Sequence, residues 1–158
     1  MAADPTVNTR VYVKQGGDEQ VIESGGTVTL ESGATLDRQA GSKTTTPYIE
    51  KTVSFTVAAS ESGAVYMCKA VDLVATLPTS AAGLRYTFIA HTVSATTGLS
   101  LSPAAADAIM GNGLTSVDNK DLINTAATDS EGDAVTIIAD GADGWWIESI
   151  TGTWAKEA

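Results

Sequence analysis

The sequence is poor in the residues from which most catalytic, metal-binding and disulfide-bonded sites are built. Its 158 residues include one cysteine and one histidine. A single cysteine excludes an intrachain disulfide and a thiolate metal framework, so Cys68 is predicted to be a small buried hydrophobic residue. His91 follows a strand pattern on the face opposite Tyr86 and Phe88, which predicts an exposed imidazole. No Gly-x-Ser-x-Gly turn and no phosphate-binding glycine motif occurs. The sequence therefore indicates no catalytic site and no cofactor.

Basic residues and long apolar runs are also scarce. Nine Lys and Arg face nineteen Asp and Glu, which gives a net charge of −10 and a pI near 4.3. Duplex nucleic acid and anionic membranes attract clustered basic side chains, so neither is an expected partner. No segment approaches the ~20 apolar residues that cross a bilayer, and the first residues lack the basic and apolar regions of a secretory signal. We therefore expect synthesis in a cytoplasm, where the protein stays or which it leaves inside a larger assembly.

Aromatic residues make up only 6% of the chain against 43% hydrophobic residues, which predicts a core of aliphatic side chains. The three tryptophans are confined to the last fourteen residues. Trp145 and Trp146 are adjacent in a predicted strand, so they point to opposite faces. One can enter the core, and the other must meet another layer, another subunit or a ligand. The candidate interface residues are Trp145, Trp146, Ile150 and Trp154.

An eight-residue unit is repeated in tandem near the N-terminus. Residues 23–30 and 31–38 both begin with Glu-Ser-Gly and continue with alternating Thr and aliphatic residues, and a looser copy covers residues 61–66. Glycine supports tight turns, and alternation gives each short strand one apolar face. A unit of this size cannot bury that face alone. The repeat therefore predicts stacking on neighbouring strands or on other chains.

Most of the remaining pattern predicts strands, with one helix. Strands are predicted over residues 11–14, 52–57, 65–68, 71–74, 84–93, 99–101, 134–139 and 145–150. A two-turn helix is predicted over residues 102–111. Ser102 can cap that helix, Pro103 suits its first turn, three alanines follow and Gly111 can end it.

A short acidic segment is the candidate metal site. Asp129, Glu131 and Asp133 stand at alternate positions, and carboxylate oxygens are the ligands that Ca²⁺ prefers. The segment lacks the length and the closing Glu of an EF-hand loop, and a solvated turn between strands has the same composition. The two alternatives are a solvated turn and a weak calcium site.

Two parts of the chain together resemble structural proteins of tailed-phage virions. Residues 21–36, VIESGGTVTLESGATL, look like segments of head-decoration and head-fibre proteins. Residues 72–154 are similar to small β-rich domains of decoration and tail-associated proteins. The motifs that carry this second similarity are LP at 77–78, GLRYTF at 83–88, SPAAADAI at 102–109, GD at 132–133, GWWI at 144–147 and TGTW at 151–154. The resemblance implies a homotrimer with strands contributed by several subunits, on three-fold or quasi-three-fold positions of a capsid.

The sequence and this resemblance lead to one expected function and one alternative. We expect a capsid decoration (cement) protein that binds the outside of an assembled phage capsid and stabilises it, without catalysis. Its partners would be copies of itself and the major capsid protein, and it would reside on the virion surface. The alternative is a head or tail fibre module that recognises a host by binding a surface glycan through an exposed tryptophan.

Three regions are expected. Residues 1–45 would form an N-terminal arm and β-repeat that contacts the capsid, and residues 46–63 a strand and linker. Residues 64–158 would form a compact β-sandwich or barrel-like domain with one short helix, which would be the body of an intertwined homotrimer.

Overall fold

The computed structural model describes residues 11–13, 20–22, 46–94 and 96–158. Contacts divide the chain into two units, Met1–Lys43 and Thr44–Ala158. In the first unit, β1 (Val11–Val13) pairs antiparallel with β2 (Gln20–Ile22). The strand predicted over residues 11–14 is therefore confirmed. The tandem repeat at residues 23–38 lies outside the described residues.

The second unit consists of eleven further strands in two mixed sheets. The strands are β3 (Tyr48–Lys51), β4 (Phe55–Thr56), β5 (Val65–Cys68), β6 (Val74–Thr76), β7 (Arg85–Ala90), β8 (Ser100–Ser102), β9 (Ala108–Met110), β10 (Leu122–Asn124), β11 (Ala134–Ala139), β12 (Gly144–Thr151) and β13 (Trp154–Lys156). The six-stranded sheet has the order β3-β5-β7-β11-β12-β9, and the five-stranded sheet the order β13-β10-β8-β6-β4. The expectation of a mainly β protein is confirmed, and residues 46–63 supply the first strand of each sheet.

The strands from β3 to β8 alternate between the two sheets. β3, β5 and β7 are parallel neighbours in the larger sheet, and β4, β6 and β8 are parallel neighbours in the smaller one. The chain thus makes three consecutive coils, and each coil contributes one strand to each sheet. Antiparallel strands then continue both sheets, with β11 beside β7 and β10 beside β8. Because β3, β5 and β7 run in the same direction, the three loops that follow their carboxyl ends all lie at the same end of the larger sheet.

Both sheets contribute side chains to one hydrophobic core. Alternation along β5 and β7 buries Tyr66, Tyr86 and Phe88, and the smaller sheet contributes Leu101 and Leu122. The Tyr66 and Phe88 rings stack with centroids 5.2 Å apart. The expectation of a wholly aliphatic core is wrong, because four aromatic rings are among the largest fully buried side chains. Few aromatic residues suffice, since each ring buries a large apolar area.

The prediction of a helix over residues 102–111 is wrong. Ser102 ends β8, and residues 108–110 form β9, whose three side chains are all buried. In the described part of the chain, the only helical element is the 3-10 turn Ala59–Glu61. A two-turn helix has little stability of its own, so parallel pairing of β9 with β12 overrides the local helix propensity. Gly144 permits this pairing, because a Cβ there would lie 2.2 Å from the carbonyl oxygen of Ala108.

Two strand predictions are also wrong in their bounds. Only Phe55–Thr56 of the segment 52–57 is a strand, and residues 71–73 precede β6 as a loop. Both segments contain the crossing from one sheet to the other. At the second crossing, Asp72 has a φ of 52°, which is incompatible with an extended strand. The strands predicted at residues 65–68, 134–139 and 145–150 are confirmed by β5, β11 and β12, and that at 99–101 by β8 with a shift of one residue. The strand predicted over residues 84–93 is confirmed only over residues 85–90, which form β7.

Candidate functional site

The adjacent indoles of Trp145 and Trp146 lie on opposite faces of the six-stranded sheet. Trp145 is fully buried, and its ring centroid lies 5.6 Å from that of Tyr86 in the core. Trp146 is 46% exposed on the outer face. The predicted division of the pair is confirmed. Trp145 is enclosed by its own chain, so Trp146 is the member of the pair that a partner can reach.

The turn between β11 and β12 holds the indole of Trp146 in place. One carboxylate oxygen of Asp140, Oδ1, accepts hydrogen bonds from the backbone N–H groups of Ala142, Asp143 and Gly144 at 2.9, 3.0 and 3.1 Å. The other oxygen, Oδ2, accepts one from Nε1–H of Trp146 at 2.8 Å. These donors favour the charged form, led by the N–H of Ala142, and lower the pKa of Asp140 to about 2. One ionised side chain thus fixes both the turn and the ring.

An apolar residue and an ion pair lie on the same strands as the ring or on neighbouring ones. Trp146 lies opposite Ile138 on β11, and Ile138 lies opposite Arg85 on β7, so the three side chains form one row across the outer face. Ile138 is 37% exposed. The register of β12 shifts beside Thr136 and leaves Glu148 as an extra residue, whose Oε2 pairs with Nε of Arg85 at 2.7 Å. We define the Trp146 patch as Trp146, Ile138, Arg85 and Glu148.

The other two candidate interface residues are less exposed. Ile150 and Trp154 are partly buried and pack against the hydrophobic core. The Nε1–H of Trp154 donates a hydrogen bond to the carbonyl oxygen of Thr151 at 2.9 Å, which closes the turn between β12 and β13. Among the four predicted residues, Trp146 is therefore the most exposed.

Three exposed valines form a second surface feature, which the sequence did not indicate. Val53, Val71 and Val93 are 70%, 46% and 52% exposed. They follow the carboxyl ends of β3, β5 and β7 by two or three residues, and those ends are in register. We call this row the valine edge. Its residues are separated by about twenty positions in the chain, so their shared location becomes evident only from the parallel order of β3, β5 and β7.

Serine side chains tie the loops of the valine edge to each other. Ser54 Oγ accepts a hydrogen bond from the backbone N–H of Val74 at 3.0 Å, and Ser94 Oγ accepts one from the N–H of Asp72 at 3.3 Å. Asp72 in turn accepts hydrogen bonds from the N–H groups of Thr97 and Gly98. These bonds hold the loops in defined conformations, so the valines are presented by an ordered scaffold.

The three acidic residues of the candidate calcium site point to different partners. Asp129 and Asp133 are buried, and Glu131 is exposed. Asp129 Oδ2 accepts a hydrogen bond from the backbone N–H of Ser94 at 2.6 Å, and Asp133 Oδ2 accepts one from Nδ2 of Asn124 at 2.9 Å. Within residues 46–94 and 96–158, no three His, Cys, Asp or Glu side chains are grouped as metal ligands. The turn alternative fits this geometry better than the calcium alternative.

His91 and Cys68 occupy the environments that the sequence predicts. The His91 side chain is 46% exposed, and its Nε2 lies 3.7 Å from Oε1 of Glu131. Cys68 is buried, and desolvation raises the pKa of its thiol to about 12. A thiol with this pKa is protonated at neutral pH and is a poor nucleophile. Neither residue is placed for nucleophilic catalysis by these contacts.

Comparison of the sequence with protein-family models and with curated proteins found no match. In the part of the chain that the structure describes, no helix has the length and apolar character needed to span a membrane. Two exposed surfaces, the Trp146 patch and the valine edge, are the candidate functional sites.

Proposed function

We propose that this chain is a virion structural protein that binds the outside of an assembled phage capsid and stabilises it. The observation that carries the proposal is the valine edge. Val53, Val71 and Val93 are 46–70% exposed, and each follows one of three in-register strand ends by two or three residues on hydrogen-bonded loops. A clustered apolar surface on an ordered scaffold is typical of a protein contact site, whereas single exposed valines need no explanation.

The valine edge is suited to association between copies of this chain. A net charge of −10 makes free copies repel one another at a distance. The valines themselves are uncharged, so burying their side chains gains the free energy of apolar burial. We propose a homotrimer formed through this edge. Shell contact through residues 1–45 stays a prediction of the sequence.

Capsid stabilisation follows from mass action. A protein that binds only the assembled shell shifts the equilibrium towards assembly by an amount that grows with its free concentration and affinity. A trimer presents three equal contacts at once, and linked contacts exceed the affinity of any one of them. The proposed function therefore depends on where the contacts with the shell lie and on how many form at once, and it requires no catalytic group.

The first test is the mass of the purified chain in solution, measured by light scattering over a dilution series. We expect a particle of three times the 16.2 kDa chain mass at micromolar concentration. Val71→Asp is expected to shift dissociation to at least about tenfold higher protein concentration, because a carboxylate replaces an apolar contact. Val117→Asp is the matched control, since Val117 is similarly exposed, 43% against 46%, and the residue after it bridges to β9, which lies three strands from β7 in the larger sheet.

The second test is co-sedimentation with capsids that lack the protein. Full-length protein is expected to sediment with intact shells and to raise the temperature at which they break open. A monomer that neither sediments with shells nor stabilises them would overturn the proposed function. A monomer that still binds shells would overturn only the free trimer.

A further inference from the structure

We propose that the Trp146 patch is a binding site for a neutral glycan, with the exposed face of the indole as the platform for one pyranose ring. The proposal does not depend on capsid binding, because the patch lies on the outer face of the six-stranded sheet and the valine edge lies in the loops at one end of that sheet. Four observations carry it: the fixed ring, its exposure, the polar groups at its rim and the charge of the protein.

The ring is fixed before any ligand binds. The hydrogen bond from Nε1–H of Trp146 to Asp140 lies in the plane of the indole, so it restrains rotation and leaves the ring faces free. Asp140 is itself restrained by three backbone N–H groups of the turn. A restrained platform loses little conformational entropy on binding, which favours affinity for a small ligand.

The exposed surface suits the apolar face of a sugar. The face of an aromatic ring carries a negative quadrupole, which attracts the weakly positive C–H groups of a pyranose. Trp146 is 46% exposed, and Ile138 beside it extends the flat apolar area. Such an area matches one or two sugar rings and is small for a stable protein interface, which buries about 800 Å² on each partner.

The rim of the patch can hydrogen-bond to sugar hydroxyl groups. Arg85 and Glu148 form an ion pair with about half of each side chain exposed, so both retain free donors and acceptors. An apolar protein partner would have to bury this ion pair, and burying charges without new hydrogen bonds is costly. Hydroxyl groups supply both donors and acceptors. The combination of an indole and an ion pair therefore favours a glycan over a protein.

The expected glycan is neutral. The protein carries a net charge of −10, and the charge of Arg85 is already balanced by Glu148. Asp140 adds a further negative charge at the edge of the ring. Sialylated or sulfated glycans would be repelled, whereas neutral pyranosides meet no such penalty.

The proposal is tested on an array of immobilised neutral and acidic glycans, followed by titration of the best ligand against the full chain. We expect binding to neutral glycans and quenching or enhancement of tryptophan fluorescence. Trp146→Ala should weaken the affinity at least about tenfold, and Trp146→Phe should retain part of it because it keeps a ring. Tyr48→Ala is the matched control, since Tyr48 is 55% exposed on an edge strand four strands, about 19 Å, from β12.

Asp140→Asn tests the positioning of the ring. The Asn oxygen can still accept the hydrogen bonds of the turn, but its amide group cannot accept the indole N–H. We expect weaker glycan binding and a small decrease in unfolding temperature, because the hydrogen bond to the indole and the charge of Asp140 are both lost. Absence of binding to every neutral glycan on the array would overturn the proposal, and so would binding that Trp146→Ala leaves unchanged. Loss of the trimer in Trp146→Ala, with no glycan bound by the wild type, would assign the patch to self-association instead.

Discussion

Trp145 and Trp146 are neighbours in the chain, yet one is the largest fully buried side chain and the other is 46% exposed. The strand β12 separates them because successive side chains point to opposite faces of a sheet. Trp145 packs against Tyr86 in the core, whereas Trp146 is held on the outer face by Asp140. The stability of the core and the proposed glycan binding thus involve two adjacent residues of the same type.

This separation predicts that two alanine substitutions destabilise the protein to different extents. Trp145→Ala should lower the free energy of unfolding by about 3–5 kcal/mol, because it leaves a large cavity in the core. Trp146→Ala should change it by about 1 kcal/mol or less, since an exposed side chain is removed. Denaturant unfolding followed by circular dichroism measures both values. Equal destabilisation by the two substitutions would contradict the assigned faces.

The sequence predicted strands wherever alternation reflects burial on one face. β5 and β7 are interior strands of the larger sheet, and buried side chains alternate with more exposed ones along both. The helix at residues 102–111 was predicted from local signals alone. Its β structure depends on pairing with β12, about 36 residues later in the chain, and on the absence of a Cβ at Gly144. Local propensity contains no information about such a distant contact.

The candidate site was predictable only in part. Alternation indicated that one of two tryptophans is exposed, but the residue that reaches the surface depends on the register of β12 with β11. The roles of Asp140 and Arg85 depend on the same register. The valine edge required the parallel order of β3, β5 and β7, which no short motif in the sequence reports.

The environment of Asp140 predicts an acid-sensitive tryptophan signal. Its pKa is lowered from 3.8 to about 2 in the folded chain, so its hydrogen bonds contribute stability that is present above pH 3.8 and lost as the pH falls towards 2. The fluorescence of Trp146 should be constant from pH 8 to pH 4 and change below it. Asp140→Asn should abolish this transition. A transition centred near pH 6 in the wild type would contradict the assignment.

The burial of Cys68 predicts a thiol that does not react in the native state. Desolvation raises its pKa to about 12, so almost no thiolate exists at pH 8, and the side chain is inaccessible. Iodoacetamide at pH 8 should label the protein at the rate of unfolding, and should label it rapidly in guanidinium chloride. Fast and complete labelling of the native chain would show that β5 is exposed to solvent, contrary to its place in the core.

The close approach of β9 to β12 predicts that Gly144 tolerates no side chain. A Cβ at this residue would lie 2.2 Å from the carbonyl oxygen of Ala108 and 2.6 Å from its nitrogen, so Gly144→Ala must displace β9. Gly113 is the matched control, because its φ of 83° is also positive and no atom lies within 4 Å of the added Cβ. Gly113→Ala should cost about 1–2 kcal/mol of backbone strain. Gly144→Ala should cost about 3 kcal/mol or more, since the loss of strand pairing adds to the strain. Thermal unfolding of the two variants measures the difference, and equal unfolding temperatures would show that β9 does not lie against β12.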